Sequence, residues 1–275
     1  MKNILVVITT AFVPTGGLTT VMMNYYRMMN KEEVKIDFAS TNNPPQVLLD
    51  EIHASGSEYC QLPDRKNVLA YFFALKKLCR GYDGMHVHAN SAMAVMELQA
   101  AIWAGIKIRI IHNHSSRSQH NLLNQLFLSL YRRSFTQAVA CSDEAGEWLY
   151  GKNGFITLRN AINAKRFKFD VVKRLIMRHN FGFGDDEYVI GHIGKFMEAK
   201  NHPFLIEVFT KYHALQPKSK LLLIGDGELR HLVEAAIDKN KVDDCVILAG
   251  LRSDIPDVLQ AIDTVSYTHL TLPTT

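Results

Sequence analysis

The 275-residue chain is 47% hydrophobic and 21% charged, an ordinary globular balance that excludes a disordered or low-complexity class and leaves room for two modest domains. Its net charge of +4 suits anionic small molecules or a membrane surface. It is too small to argue for nucleic acid, and no arginine-rich segment or aromatic RNA-binding strand adds to that case.

Met1-Lys2-Asn3 precedes a short apolar run, Ile4–Ile8, that lacks a following small-residue cleavage site. It reads as the first buried strand rather than a signal peptide. No run of about 18 apolar residues occurs, which argues against a transmembrane helix. Cys60, Cys79, Cys141 and Cys245 show no Cys-x-x-Cys spacing and each lies in or beside an apolar stretch, the usage of a reduced, cytosolic protein.

From Asn3 to about Asn160, β-branched runs alternate with helical periodicity, the pattern of a parallel sheet covered on both faces. Strands are predicted at Ile4–Ile8, Val34–Ala39, Glu58–Leu62, Gly84–His88, Lys107–Ile111, Gln137–Ala140 and Phe155–Leu158. Thr15-Gly16-Gly17-Leu18-Thr19 separates the first strand from a helix marked by Val21, Met22, Tyr25, Tyr26 and Met29. Glycines at such a helix start let a backbone approach phosphate closely, and the loop is not the Gly-x-Gly-x-x-Gly of dinucleotide binders. A plain turn is the competing reading.

His86 and His88 end one predicted strand, and His112-Asn113-His114-Ser115-Ser116 ends the next. Residues two apart on a strand share a face, so each pair projects together at the carboxyl edge of the sheet. Four imidazoles there could hold zinc or another transition metal, as in a metal-dependent hydrolase. The alternative is histidines paired with backbone at strand ends. No Asp, Glu or Cys accompanies either pair, and the expectation is no metal site.

The pattern restarts near Asp186: strand Tyr188–Ile193, helix Pro203–Leu215, strand Lys220–Ile224, helix Glu228–Lys239, strand Cys245–Ala249, helix Ile255–Ala261. The expected organisation is a first Rossmann-like domain over 1–163, a connection over 164–186 and a second domain over 187–265, with ligand bound between domains. Arg117, Arg132, Arg133 and the basic stretch Lys165–Arg178 read as solvated helix faces, with an acidic lipid surface or a phosphorylated acceptor as the alternative. The last residues, 266–275, show no strand alternation followed by a helix, and a non-native, adapter-like tail on a truncated second domain is expected.

The most informative loop is Gly194-Lys195-Phe196-Met197-Glu198-Ala199-Lys200-Asn201-His202, which puts two lysines at a strand's carboxyl end beside a helix N-terminus, where open α/β sheets bind anions. The turn Ile224-Gly225-Asp226-Gly227-Glu228-Leu229 follows the next strand, and Ala249-Gly250-Leu251-Arg252 ends the one after. By residue chemistry alone these amount to an α/β protein that binds a phosphorylated ligand, and a non-catalytic nucleotide-binding module remains open.

Together these motifs resemble the retaining glycosyltransferases of the GT-B fold, family 4. Gly194, Lys195, Glu198, Lys200 and Asn201 are similar to that family's Gly-Arg/Lys…Lys motif, with Lys195 where arginine is commoner, and Asn160-Ala161-Ile162-Asn163 is similar to its Asn-Gly-Val/Ile-Asp segment. The resemblance implies two doubly wound domains and transfer of a sugar from a nucleotide diphosphate sugar to an acceptor hydroxyl with retained configuration. It implies His112, Lys195 and Lys200 as catalytic, the lysines on the leaving diphosphate in place of a divalent metal. Gly16, Gly17, His114, Gly194, Gly225, Asp226, Gly227, Leu251 and Arg252 are implied at the donor, and His88 matches a strand-end histidine common in the family. No cofactor is implied. A glycan or lipid-linked acceptor of capsule or exopolysaccharide assembly is expected, with a cytoplasmic location and contact at the inner membrane face. The family's Glu-x7-Glu motif would follow Ile262-Asp263 and is missing from this sequence, so the chain as given is expected to be inactive or nearly so.

Overall fold

The computed structural model describes residues 1–14, 16–116 and 121–267; Thr15, Arg117 and the tail 268–275 lie outside the described residues. The chain divides into two compact units, one over Met1–Ile162 and one from Asn163 onward.

The first unit runs β1 (Lys2–Ile8), α1 (Gly17–Met28), β2 (Val34–Ser40), α2 (Gln46–Ala54), β3 (Tyr59–Gln61), α3 (Val68–Cys79) and β4 (Gly84–Ala89). It continues with α4 (Val95–Ala104), β5 (Ile108–Asn113), α5 (Asn121–Ser134), β6 (Gln137–Ala140), α6 (Asp143–Tyr150) and β7 (Phe155–Thr157). The seven strands form one parallel sheet in the order β3-β2-β1-β4-β5-β6-β7. Alternation sorts the side chains. Leu5, Val7, Met85, Val87 and Ile111 join a core with Tyr71 and Leu75 of α3, Leu98 of α4, Tyr131 of α5 and Leu149 of α6. Val6, Ile8 and Phe38 meet Met22, Met23 and Tyr26 of α1 and Ile52 of α2 on the opposite face.

The strand expected over Lys107–Ile111 lies two residues further on at its carboxyl end. His112 and Asn113 are held by neighbours on both sides, pairing with His88 and Ala89 of β4 and with Val139 and Ala140 of β6. Two-sided pairing satisfies backbone groups that a loop would leave to water.

The second unit contains α7 (Val171–Phe181), β8 (Tyr188–Ile193), α8 (His202–Leu215), β9 (Ser219–Ile224), α9 (Arg230–Asn240), β10 (Val246–Gly250), α10 (Ile255–Val258) and β11 (Thr264–Val265). Its sheet is parallel, in the order β10-β9-β8-β11. Phe196, Ile206, Phe209, Leu221, Leu223 and Val233 fill one side, and Met177, Val189, Leu222, Ile224 and Val258 the other. Both units are therefore α/β with parallel sheets.

One expectation is corrected. Arg174 and Arg178 are not solvated or lipid-facing cations: Arg174 bonds the Gln260 carbonyl and the Asp263 carboxylate, and buried Arg178 donates to the carbonyls of Ala261 and Glu187 and pairs with Asp263. A guanidinium carries enough donors to tie α7 to two chain segments at once, which lets a charge stay inside. Asp263 answers them, and the backbone N–H of Val189 and the Arg174 guanidinium hold its carboxyl below the usual range against the opposing effect of burial.

Candidate functional site

In the second unit three strand ends are laced together by backbone. Gly194 N–H donates to the Ile224 carbonyl, Phe196 N–H to Asp226, Leu229 N–H to Phe196 and Gly225 N–H to Gly250, at 2.9–3.2 Å. The lacing needs glycine at two positions. A Cβ on Gly225, at φ +146°, would stand 2.0 Å from the Gly194 oxygen, and one on Gly227 would stand 2.4 Å from the Phe196 oxygen. No real side chain fits either gap. The lacing also explains why the helix expected from Glu228 starts at Arg230: Gly227 to Leu229 are spent on the turn that meets Phe196.

The lysines hang on this frame. Lys200 lays its stem against Gly194, where an added Cβ would lie 3.4 Å from Cγ and Cδ, and burial lowers its pKa from the ordinary lysine value. Lys195 is largely exposed and sits 3.7 Å from the Glu228 carboxylate, a contact that water screens heavily. Asn201, in left-handed conformation at φ 43°, turns the chain into α8, whose N-terminus receives no side-chain cap. An uncapped helix start beside two ammonium groups attracts anions. Buried His202 lies edge-on to Phe196 and His192, and burial, with His192 and Lys200 nearby, lowers its pKa to about 4.

The rim of this site is acidic and already paired. Asp226 accepts from Gly227 N–H and meets Arg230. Arg252, just past β10, is gripped by Asp254 through two nitrogens and lies over the Phe181 ring, while Leu251 is exposed.

In the first unit the four histidines gather on the α1 face of the sheet, since His86 and His88 register with Val6 and Ile8, and His88 with His112. The rings of His112 and His114 stack at 4.1 Å, those of His86 and His88 lie 4.3 Å apart, and His88 Nδ1 hydrogen-bonds His114 Nε2 at 2.9 Å. His112 is 1% exposed, and among the described residues neither of its ring nitrogens has a hydrogen-bond partner. His114 is the more accessible ring. Burial, then the neighbouring imidazoles, pushes His86 down to about 4, His112 to about 2 and His88 well below its ordinary value; burial alone takes His114 to about 4. All four are neutral at pH 7. Ring nitrogens of His86, His88 and His112 lie within 4.8 Å of one another. Yet His86 and His112 are only 4° from parallel, and lone pairs that lie in parallel ring planes do not converge on one ion without rotation.

Asn113, which sequence reasoning passed over, anchors the stack. Its amide donates to the carbonyls of Ser115 and Ala145, fixing the end of β5 to α6. Gly16 caps α1 and fits tightly, its added Cβ lying 3.2 Å from the Val13 oxygen, whereas Gly17 faces open space.

Residues 187–272, which include the laced loops, match the family described as glycosyl transferases group 1. The putative glycosyltransferase EpsF of Bacillus subtilis is 27% identical over 265 residues, covering 90% of this chain and 68% of the relative. By these likenesses the chain is a glycosyltransferase, and its second unit carries the group 1 match. A second relative of this glycosyltransferase is the UDP-Gal:alpha-D-GlcNAc-diphosphoundecaprenol alpha-1,3-galactosyltransferase of Escherichia coli, 23% identical over 90% of this chain and 69% of the relative. In fold, the glycosyltransferase is similar to HepE of Anabaena, crystallised with UDP and glucose, at a TM-score of 0.79 and 18% identity over 97% of this chain and 74% of that one. The fold is thus that of the GT-B glycosyltransferases.

Proposed function

We propose that the glycosyltransferase moves a sugar from a nucleotide diphosphate sugar to a hydroxyl of a lipid-linked glycan at the inner membrane face, with retention at the anomeric carbon. The observation that carries the donor assignment is the laced loop of the second unit, which sets Lys200, Lys195 and the uncapped start of α8 around the end of β8. As the glycosidic C–O bond breaks, negative charge grows on the departing diphosphate. Fixed cations stabilise that charge without reorganising. Lys200, partly desolvated, gains more from an anion than a fully hydrated lysine would. Lys195 exchanges its screened contact with Glu228 for phosphate. The reading gives this work to the lysines rather than to a divalent metal.

Gly225, Asp226, Gly227, Leu251 and Arg252 border the nucleoside in this reading, with Arg252 leaving or sharing Asp254. In the first unit, Gly16 and Gly17 present the start of α1, and His114, with buried His112 stacked behind it, offers an uncharged imidazole to a sugar. The E. coli relative, named for a diphosphoundecaprenol substrate, and the UDP of the HepE structure support the choice of substrates. Retention and a role in capsule or exopolysaccharide assembly rest on the family resemblance.

The test is incubation with a panel of UDP- and GDP-sugars and lipid-linked acceptors, with the product's anomeric configuration read by NMR. Binding of one nucleotide diphosphate sugar is expected, and any product is expected to keep the donor's own configuration. Inverted product would refute retention, and absence of both nucleotide binding and turnover would refute the donor assignment.

A further inference from the structure

We infer that His86, His88 and His112 form a zinc-class metal site in the first unit, their imidazoles supplying the protein ligands to one divalent transition ion. The sugar transfer proposed above uses no such ion, so the inference stands apart from the donor assignment. The strands bring the three residues to one place. His88 registers with His112 across β4 and β5, His86 lies two residues back on the same face, and both strands are paired on either side. Ring centres lie 4.3 Å apart for His86 and His88, 5.0 Å for His88 and His112, and 5.6 Å for His86 and His112. One nitrogen from each ring falls within 4.8 Å of the other two. Three nitrogens bound to a single zinc ion stand about 3.3 Å apart, so closing the site takes movements of roughly 1.5 Å or less.

The idle nitrogens single this cluster out. Both ring nitrogens of His112, a side chain buried to 1% exposure, and Nε2 of His86 have no hydrogen-bond partner among the described residues. Buried polar atoms are nearly always paired, and an apolar side chain would fill the same space without the cost of leaving them unpaired. Stacking of neutral rings explains why the histidines touch but leaves these lone pairs unexplained. An ion gives them a partner. The near-parallel rings of His86 and His112 must turn about their Cβ–Cγ bonds to converge, and the turn breaks no hydrogen bond at His112 and none at Nε2 of His86. His88 is already oriented. In the tautomer that donates Nδ1–H to His114 Nε2, at 2.9 Å, its own Nε2 keeps the lone pair, the outer arrangement that steadies a metal-binding imidazole.

The donor set selects the metal. Neutral imidazoles suit zinc, cobalt, nickel or copper, whereas magnesium and calcium take oxygen ligands. The cluster is histidine alone, and a three-histidine zinc centre needs no carboxylate, because water takes its fourth position.

The test is titration of the full, untagged chain with zinc chloride against a chromophoric chelator, and with cobalt chloride read by visible absorption. One zinc per chain is expected, at micromolar affinity or tighter, together with the intense visible band of a four-coordinate cobalt ion; magnesium is expected not to compete. H86N and H112N are each expected to weaken zinc at least tenfold while keeping the circular dichroism spectrum of the parent. H53N, on an exposed histidine outside the cluster, is expected to bind zinc like the parent. No zinc bound, a six-coordinate cobalt spectrum in the parent chain, or zinc affinity unchanged in both cluster variants would overturn the inference. The cobalt spectrum needs no variant, so it decides even if a substitution unfolds the chain. UDP affinity on the same samples separates this inference from the donor assignment: UDP bound without zinc sinks only the metal site, and zinc bound without UDP sinks only the donor assignment.

Discussion

The two units build the carboxyl edges of their parallel sheets in opposite ways. In the second unit the edge is cationic and held by backbone, with glycines bringing chain segments into direct contact so that Lys195 and Lys200 project from a fixed frame. In the first unit the edge is neutral and held by side chains, with four imidazoles stacked on each other and Asn113 pinning the strand end to α6. Strand-helix topology makes such edges sites in general; the residues placed there decide which chemistry each can do. A cationic edge suits a charged leaving group. A stack of uncharged imidazoles suits a sugar, since it offers hydrogen bonds and ring faces without fixed charge.

The comparison breaks first at the glycines. Gly225→Ala drives a methyl into the Gly194 carbonyl, so a loss of about 3 kcal/mol or more in the stability of the second unit is expected, read by thermal or urea denaturation. An unchanged midpoint would mean the lacing is not rigid. Next come the charges. Lys200→Ala is expected to lower kcat by about 10²- to 10³-fold, comparable to removing a donor that stabilises transition-state charge, without shifting the melting temperature.

Acid separates the units more gently. The histidines of the first unit have folded pKa values near 4 for His86 and His114 and near 2 for His112, below an unfolded value of about 6.5. Below that value the unfolded chain binds more protons, so the stability contributed by neutral imidazoles is full above about pH 6.5 and is lost as pH falls toward 4 and then 2. Between pH 7.5 and 6 a loss of about 2–3 kcal/mol is expected, roughly 0.8 kcal/mol per imidazole, and His86→Asn/His114→Asn should flatten the slope. A pH-independent midpoint over that range would contradict the buried stack. The smallest effect is at Gly17, where an added methyl meets nothing: Gly17→Ala should leave stability unchanged or raise it by about 0.5 kcal/mol.

Most of the fold was legible because strand and helix periodicities are strong in parallel α/β chains. Six of the predicted elements show how: the strand Tyr188–Ile193 appears with its predicted bounds, while β1, β2, α8, β9 and β10 differ by a residue or two at their ends. The misreadings have physical causes. Arg174 and Arg178 looked like surface charge because sequence shows their basicity and hides Asp263, some 85 residues away, that pairs with them. The histidines could be placed on one face from their spacing of two, but their mutual stacking depends on the register between β4 and β5, which no local signal specifies. Gly225 and Gly227 were readable as a turn; that they make room for Gly194 and Phe196 is a property of two loops meeting in space.

The central claim, that the laced cationic edge of the second unit holds the donor diphosphate, is tested most directly by calorimetric titration of UDP into the parent chain and into K195A/K200A and H112A/H114A. The account predicts that the lysine variant loses at least tenfold in affinity while the histidine variant binds UDP like the parent. Undiminished binding by the lysine variant would contradict it.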